Sequence, residues 1–419
     1  MVRRGNYGVN FMQRFGIYRG EVKARLEGGC DFWVHAVSVG EVLIARKLIE
    51  EMVRRDGSLR IVLSTTTSTG YALAREMESE TLAVIYNPVD LWGVVRRVLR
   101  RVRPRVMVLV EAEVWPNLVS RAKKEGVRVY LVNARLSRRS EGRYRQFRVL
   151  TGPIFALLDG VYLQSSEDEV RWVGLGYDSG KIERVGSIKF DVAGVEDDAS
   201  GDGERFERLL RVFEDGGGER RPVFLAGSTH PGEEKLLAEA YLKLCEADSR
   251  LLYVVVPRHV ERTPEVLEDL SSVGLVGVRR TELGGREEEA RYGLEDGKRR
   301  CLVVDTTGEL RDWYRVADLV VIGKSFLSTG GQNPVEAIVA GKPVFFGPHM
   351  ENFSWLVERL VAARAVVQVA DVAELISRAE GCLGAPEEAA AISGRAGEVL
   401  AEHRGATART AERLMSALS

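Results

Sequence analysis

Cysteine is scarce in this chain. Its four cysteines (Cys30, Cys245, Cys301 and Cys382) are scattered and form no C-x-x-C pair, so the sequence offers neither a disulfide framework nor a zinc knuckle. The five histidines, His35, His230, His259, His349 and His403, show no metal-ligand spacing either, and neither metal nor cofactor is expected. No stretch approaches the roughly 18 apolar residues of a membrane span, and the first residues lack the apolar core of a signal peptide. A soluble or peripheral protein is therefore expected. Charge of one sign is also missing: 60 Lys and Arg against 61 Asp and Glu leave a net charge of −1, which argues against a general nucleic-acid binder. Two familiar phosphate motifs are incomplete. Gly323-Lys324-Ser325 has Asp318 where a P-loop needs glycine, and Gly174-Leu175-Gly176 lacks a third glycine, with Ser179 at that offset.

What is present is alternation. Residues 32–37, 60–64, 106–110, 127–132 and 160–164 are short, β-branched and apolar nearly throughout, as parallel strands buried on both faces must be. Helical patterns lie between them, for example at 41–54 and 91–101. Near residue 193 the composition turns acid- and glycine-rich (GVEDDASGDGE at 194–204, DGGGERR at 215–221), which reads as a flexible connection. The alternation then restarts at 222–226, 251–256, 301–305, 319–322 and 343–346. The pattern predicts two Rossmann-like α/β domains, residues 1–192 and 221–384, joined by a linker at 193–220. The helical run 385–419 is expected to pack back on the N-terminal domain. Ligands of open parallel sheets lie beyond the carboxyl ends of the strands, so two such sheets facing one cleft suit a two-substrate enzyme.

Candidate site residues fall at those strand ends. Ser38-Val39-Gly40-Glu41 follows the first strand. It satisfies a capping box and equally places Glu41 as a general base. Gly40, a poor helix former, suggests close approach of a substrate. Glu111 and Glu113 end the 106–110 strand, where carboxylates are costly unless paired or used; they either cap the next helix and pair with arginines or serve the chemistry. Pro257-Arg258-His259 ends another apolar strand, and a guanidinium there suits a base or phosphate as well as a surface ion pair. Thr307-Gly308-Glu309 occupies the corresponding turn after 301–305. In the stretch 321–349, Asn333 is expected as N-cap, Pro334 at the first helical position and Glu336 at the third, after Gly330 and Gly331 that would let backbone approach a ligand. The arginine-rich runs 96–105 and 135–148 read either as solvated faces or as attraction to anionic lipid or substrate.

Taken together these motifs resemble the Kdo (3-deoxy-D-manno-octulosonic acid) transferases of lipopolysaccharide assembly. WVHAVSVGE at 33–41, EAEVWPN at 111–117, VNARLS at 132–137, GSIKFD at 186–191, AGSTHPGEE at 226–234, PRH at 257–259, DTTGEL at 305–310, and GGQNPVE with FGPH at 330–349 follow in colinear order over nearly the whole chain. The resemblance implies a two-domain glycosyltransferase of GT-B type. It implies CMP-Kdo as donor and a lipid A precursor, lipid IVA, as acceptor, at the cytoplasmic face of the inner membrane. Glu41 would be the general base of an inverting displacement and Glu111 a second essential carboxylate. Pro257, Arg258, Thr307, Gly308, Glu309, Asn333, Pro334, Val335 and Glu336 would hold the CMP, with a further donor loop at Gly227 and Ser228. Gln332, Lys324 and Ser187 depart from the family pattern, which bears on the donor accepted. No hydrophobic anchor is read in the opening M-V-R-R-G-N-Y-G, leaving membrane contact to the basic N-terminal domain. Two other readings remain open: a GT-B transferase using a UDP-sugar on another lipid-linked acceptor, and a non-catalytic α/β protein that docks on anionic membrane.

Overall fold

The computed structural model describes residues 10–111, 114–136, 138–192, 203–213, 220–283 and 298–418. The chain divides into two compact units, one of residues 1–191 with 403–419, the other of residues 192–402.

In the N-terminal unit seven strands form one parallel sheet: β1 (Cys30–His35), β2 (Ile61–Thr65), β3 (Leu82–Tyr86), β4 (Pro104–Val110), β5 (Arg128–Ala134), β6 (Gly160–Leu163) and β7 (Ile182–Arg184), in spatial order 3-2-1-4-5-6-7. Successive side chains of a strand point to opposite faces, and both faces here are covered. Phe32, Val34, Val106 and Val108 therefore enter one apolar core, while Trp33, Met107 and Leu109 enter another. Helix Val39–Arg55 covers the first face. Ser38 caps it, accepting a hydrogen bond from Glu41 N, and Val42, Ala45, Leu48, Ile49 and Met52 recur at helical spacing on its buried side. The last helix of the chain, Ala406–Ser416, joins the same core through Ala411 and Leu414. Asp191 secures its start, its carboxylate oxygens accepting from Gly405 N at 2.8 Å and Thr407 N at 2.7 Å.

The C-terminal unit repeats the plan. Its strands are β8 (Val223–Thr229), β9 (Leu252–Pro257), β10 (Leu275–Arg279), β11 (Arg299–Val303), β12 (Leu319–Ile322), β13 (Val344–Phe346) and β14 (Val367–Gln368), parallel and in order 10-11-9-8-12-13-14. Helix Pro386–Ala401 belongs to this unit. The stretch 193–220 is not all connection. Residues 193–202 and 214–219 lie outside the described residues, but Gly203–Leu210 is helical, and Phe206 stands edge-on against Trp313 with ring centroids 4.7 Å apart. Composition hid this helix, because its apolar positions (Phe206, Leu209, Leu210) are few; each is nonetheless buried, and the aromatic one contributes about 2 kcal/mol. Among the described residues no helix is long and apolar enough to cross a membrane.

Candidate active site

Strand order reverses between β1 and β4 in the first unit and between β8 and β12 in the second. At such points the loops leaving neighbouring strands diverge to opposite faces and open a crevice.

In the N-terminal unit Glu41 lies in the first turn of the helix that follows β1, and Glu111 directly follows β4. Glu41, 7% exposed, accepts from Val37 N at 2.8 Å and from Ser38 Oγ at 2.9 Å. The capping box expected from the sequence is therefore formed. Gly40 faces open space: a Cβ there would meet nothing closer than Ser38 Oγ at 3.9 Å. Glu111 sits in the left-handed region at φ 63°, a conformation that costs a non-glycine residue of order 1 kcal/mol or more. Its N–H is satisfied by Val132 O at 2.9 Å. Burial pushes the Glu111 carboxyl above its ordinary pKa, while Lys189 and Arg135 pull it back. Desolvation draws the Lys189 ammonium below its ordinary pKa although the residue keeps exposed surface; Glu111 opposes this and Arg135 adds to it. Glu113 lies outside the described residues. Capping of the following helix falls to Asp90 instead of to Glu111, its oxygens accepting from Asn117 N at 3.0 Å and Leu118 N at 2.8 Å.

Beneath this crevice His35 ends β1 with no exposed surface; Nδ1 stands 3.0 Å from Ser64 Oγ. Burial holds its pKa down at about 4. The unfolded chain binds a proton on this imidazole near pH 6.5, the folded chain only near 4, so stability rises with pH between those values and is lost on acidification. Urea unfolding should lose about 2 kcal/mol between pH 7 and pH 5 from this group. In the His35→Gln variant that part of the pH slope should vanish; an undiminished slope would assign it to other groups.

In the C-terminal unit the loops after β8 and β12 meet directly. Glu233, with no exposed surface, accepts from His230 N at 3.0 Å, Lys324 N at 2.6 Å, Ser325 N at 2.9 Å and Phe326 N at 3.1 Å. Glu234 beside it, also fully buried, accepts from Thr229 Oγ1 at 2.9 Å and pairs with Arg262 at 2.8 Å. Gln332 Nε2 lies 3.0 Å from His230 Nε2. Burial lowers the His230 pKa; Glu233 opposes this, and Lys324, His259 and Arg262 add to it. Ser228, near the end of β8 where its register with β9 shifts, and Lys324, on the loop after β12, are left-handed non-glycine residues at φ 55° and 56°.

Several expectations need correction. The helix after Gln332 spans only Val335–Val339. Pro334 takes the cap position and no side chain caps it, while Asn333 Oδ1 accepts from Val335 N at 3.1 Å in a local turn. Gly330 and Gly331 are pressed by the protein itself. A Cβ on Gly331 would lie 2.4 Å from Met350 Sδ, and one on Gly330 2.8 Å from Asn352 Nδ2, so close packing against 349–352 already calls for glycine at both positions. Gly227 lies under Tyr314, whose hydroxyl would stand 2.5 Å from an added Cβ. Glu309 is engaged by Arg280 at 3.2 Å and Thr306 Oγ1 at 2.7 Å. Gly308, by contrast, has open space and φ 86°. Pro257 is buried and Arg258 exposed, its N–H donating to Thr229 O at 3.0 Å, and no ion pair engages its guanidinium among the described residues. Thr307 is exposed and Glu336 half-buried. Sequence reasoning missed Lys189, His230 and Glu233 as individuals, although each lies inside a quoted motif.

Solved structures share the fold. The chain matches a UDP-GlcNAc 2-epimerase from Neisseria meningitidis with TM-score 0.57 at 12% identity, over 92% of this chain and 100% of that one. It matches a glycosyltransferase from Rickettsia africae with TM-score 0.54 at 12% identity, over 93% and 99%. Residues 9–192 match the family described as 3-Deoxy-D-manno-octulosonic-acid transferase (kdotransferase). Over 410 residues the chain is 34% identical to the 3-deoxy-D-manno-octulosonic acid transferase of Bordetella pertussis, covering 96% of this chain and 90% of that protein. With the Haemophilus influenzae transferase it shares 28% over 409 residues, 97% and 91% of the two chains. A bifunctional glycosyltransferase/methyltransferase of Fusobacterium nucleatum is 30% identical over 353 residues; these cover 83% of this chain but 52%, about half, of that protein. Two parallel-sheet α/β units, each with a crossover in its strand order, give the GT-B fold class that these solved structures share. Within that class the chain belongs to the 3-deoxy-D-manno-octulosonic acid transferase family.

Proposed function

We propose that this enzyme transfers Kdo from CMP-Kdo to a lipid A precursor, lipid IVA, in lipopolysaccharide biosynthesis. The observation that carries the reading is the pair Glu41 and Glu111, which follow the carboxyl ends of the two crossover strands β1 and β4, in a chain of the Kdo transferase family. An acceptor hydroxyl attacks the anomeric carbon of Kdo, its proton passes to the Glu41 carboxylate, and the bond to the CMP phosphate breaks with inversion. Glu111, set among Lys189 and Arg135, orients the acceptor. The C-terminal unit holds CMP through Pro257, Arg258 and the Thr307–Gly308 turn, with the segment 333–336 and the loop at Gly227 and Ser228 completing the donor site. The unengaged guanidinium of Arg258 meets the leaving phosphate.

The reading places the enzyme peripherally on the cytoplasmic face of the inner membrane. Exposed Leu91 and Trp92, the latter stacked by Arg96 and Arg121 at 5.5 and 5.4 Å, support contact with an anionic surface through the N-terminal unit.

CMP at about 100 times its Kd should raise the melting temperature of the C-terminal unit by roughly 5 °C or more, as stabilisation near 2.7 kcal/mol requires. UMP and UDP should not. An equal response to UMP would sink the assignment of CMP-Kdo in favour of a uridine donor.

A further inference from the structure

We propose that Glu233 is the positioning residue of the donor site, fixing the loop after β12 in its binding geometry before any ligand arrives. The proposal rests on the reading of the C-terminal unit as the donor-binding unit. Its ground is the number and source of the hydrogen bonds on one buried carboxylate. Oε1 accepts from Ser325 N and Phe326 N, and Oε2 from Lys324 N and His230 N, between 2.6 and 3.1 Å. Three consecutive amides of one loop and one amide of the other thus converge on a side chain with no solvent exposure. A carboxylate stripped of water is costly unless its oxygens are filled, and here backbone N–H groups alone fill them.

The consequence is geometric. To aim its N–H at Glu233, Lys324 adopts φ 56°, which a side-chain-bearing residue takes only when its surroundings impose it. Its carbonyl then accepts from Gly331 N at 3.0 Å, which draws Gln332 back over the β8 loop toward His230. Ser325 extends the same frame: its hydroxyl donates to Ile322 O at 2.6 Å and accepts from Gly347 N at 2.9 Å, so the β13 loop is tied in as well. Glu234 turns the other way, toward Thr229 and Arg262, and steadies the segment that carries Arg258. The consecutive glutamates at the head of helix Glu233–Ala247 therefore reach to opposite sides of β8, and Glu233 commands the side bearing Lys324 and Gln332.

Replacing Glu233 with glutamine keeps the shape but turns one oxygen into an amide donor that faces two backbone donors. Steady-state kinetics of the full-length Glu233→Gln chain with CMP-Kdo and lipid IVA test the assignment. The KM for CMP-Kdo should rise about tenfold or more, with kcat and the KM for lipid IVA within about threefold of wild type. A residue that served folding alone would lower kcat in step with the folded fraction and leave the KM for CMP-Kdo unchanged, and that outcome overturns the proposal. Hydrogen exchange on the wild type gives an answer that needs no variant. The amides of Lys324, Ser325 and Phe326 should be protected without nucleotide; rapid exchange that slows only on adding CMP would show that the ligand, not Glu233, orders the loop. Failure of the donor reading has a separate signature, since wild type would then show no saturation by CMP-Kdo whatever the state of those amides.

Discussion

The Glu41→Gln variant should lose transfer by roughly 10²- to 10⁴-fold, the range a general base supplies, while its melting temperature stays within about 2 °C of wild type. The geometry separates the two roles of this side chain. Glutamine can accept from Val37 N through its carbonyl and donate to Ser38 Oγ through its amide, so the helix start remains closed. It cannot take a proton from an attacking hydroxyl. Loss of activity with unchanged melting assigns the proton transfer to Glu41. Transfer at the wild-type rate would remove Glu41 from the chemistry and return it to capping alone. A Glu41→Ala variant should lose activity and, in addition, about 1 kcal/mol of stability, because Val37 N is then left to water.

The largest loss of stability is expected from one methyl group at the second crossover. A Cβ on Gly323 would stand 2.3 Å from Ser228 O and 2.6 Å from Thr229 Cα. Both contacts are backbone, so no side chain can swing aside. The strands cannot part either, because Gly323 N donates to Gly227 O at 2.8 Å and Ile322 pairs with Gly227 in the ladder. Gly323→Ala should cost about 3 kcal/mol and lower the melting temperature of the C-terminal unit by roughly 10 °C. Gly381→Ala is the counterpart: a helical glycine with nothing within 4 Å, where alanine should stabilise by up to about 1 kcal/mol. Similar melting of the two variants would refute the close approach at residue 323.

How much of this was legible follows from where each residue sits. Ten of the strands announce themselves as β-branched apolar runs because both faces are buried. The four unannounced strands, β3, β7, β10 and β14, are the four sheet edges. β7 and β10 are only partly buried and β14 is two residues long, so water weakens their pattern. β3 departs from that account: LAVIY is apolar throughout, and its edge is covered by the preceding segment, with Gln13 Oε1 accepting from Tyr86 N. In the site, strand-end positions could be read, but partners could not. Glycines at 330 and 331 look alike whether a ligand or Met350 presses against them. Glu233 reads as one more acidic residue in a first helical turn; only the fold brings three amides from ninety residues away onto its oxygens.

The last helix has a bearing on how the protein is born. Ala411, Leu414 and Ala417 complete a core whose other buried members lie before residue 192, and Asp191 waits for the amides of Gly405 and Thr407. A nascent chain emerging from the ribosome therefore cannot finish its N-terminal unit when that unit's own strands have been made. The C-terminal unit, synthesised later, already holds all its parts when the final stretch from His403 onward appears. The half that is translated first is thus the half that closes last, and a chain cut short near its end would expose the core beside helix Val39–Arg55 rather than merely lose a tail.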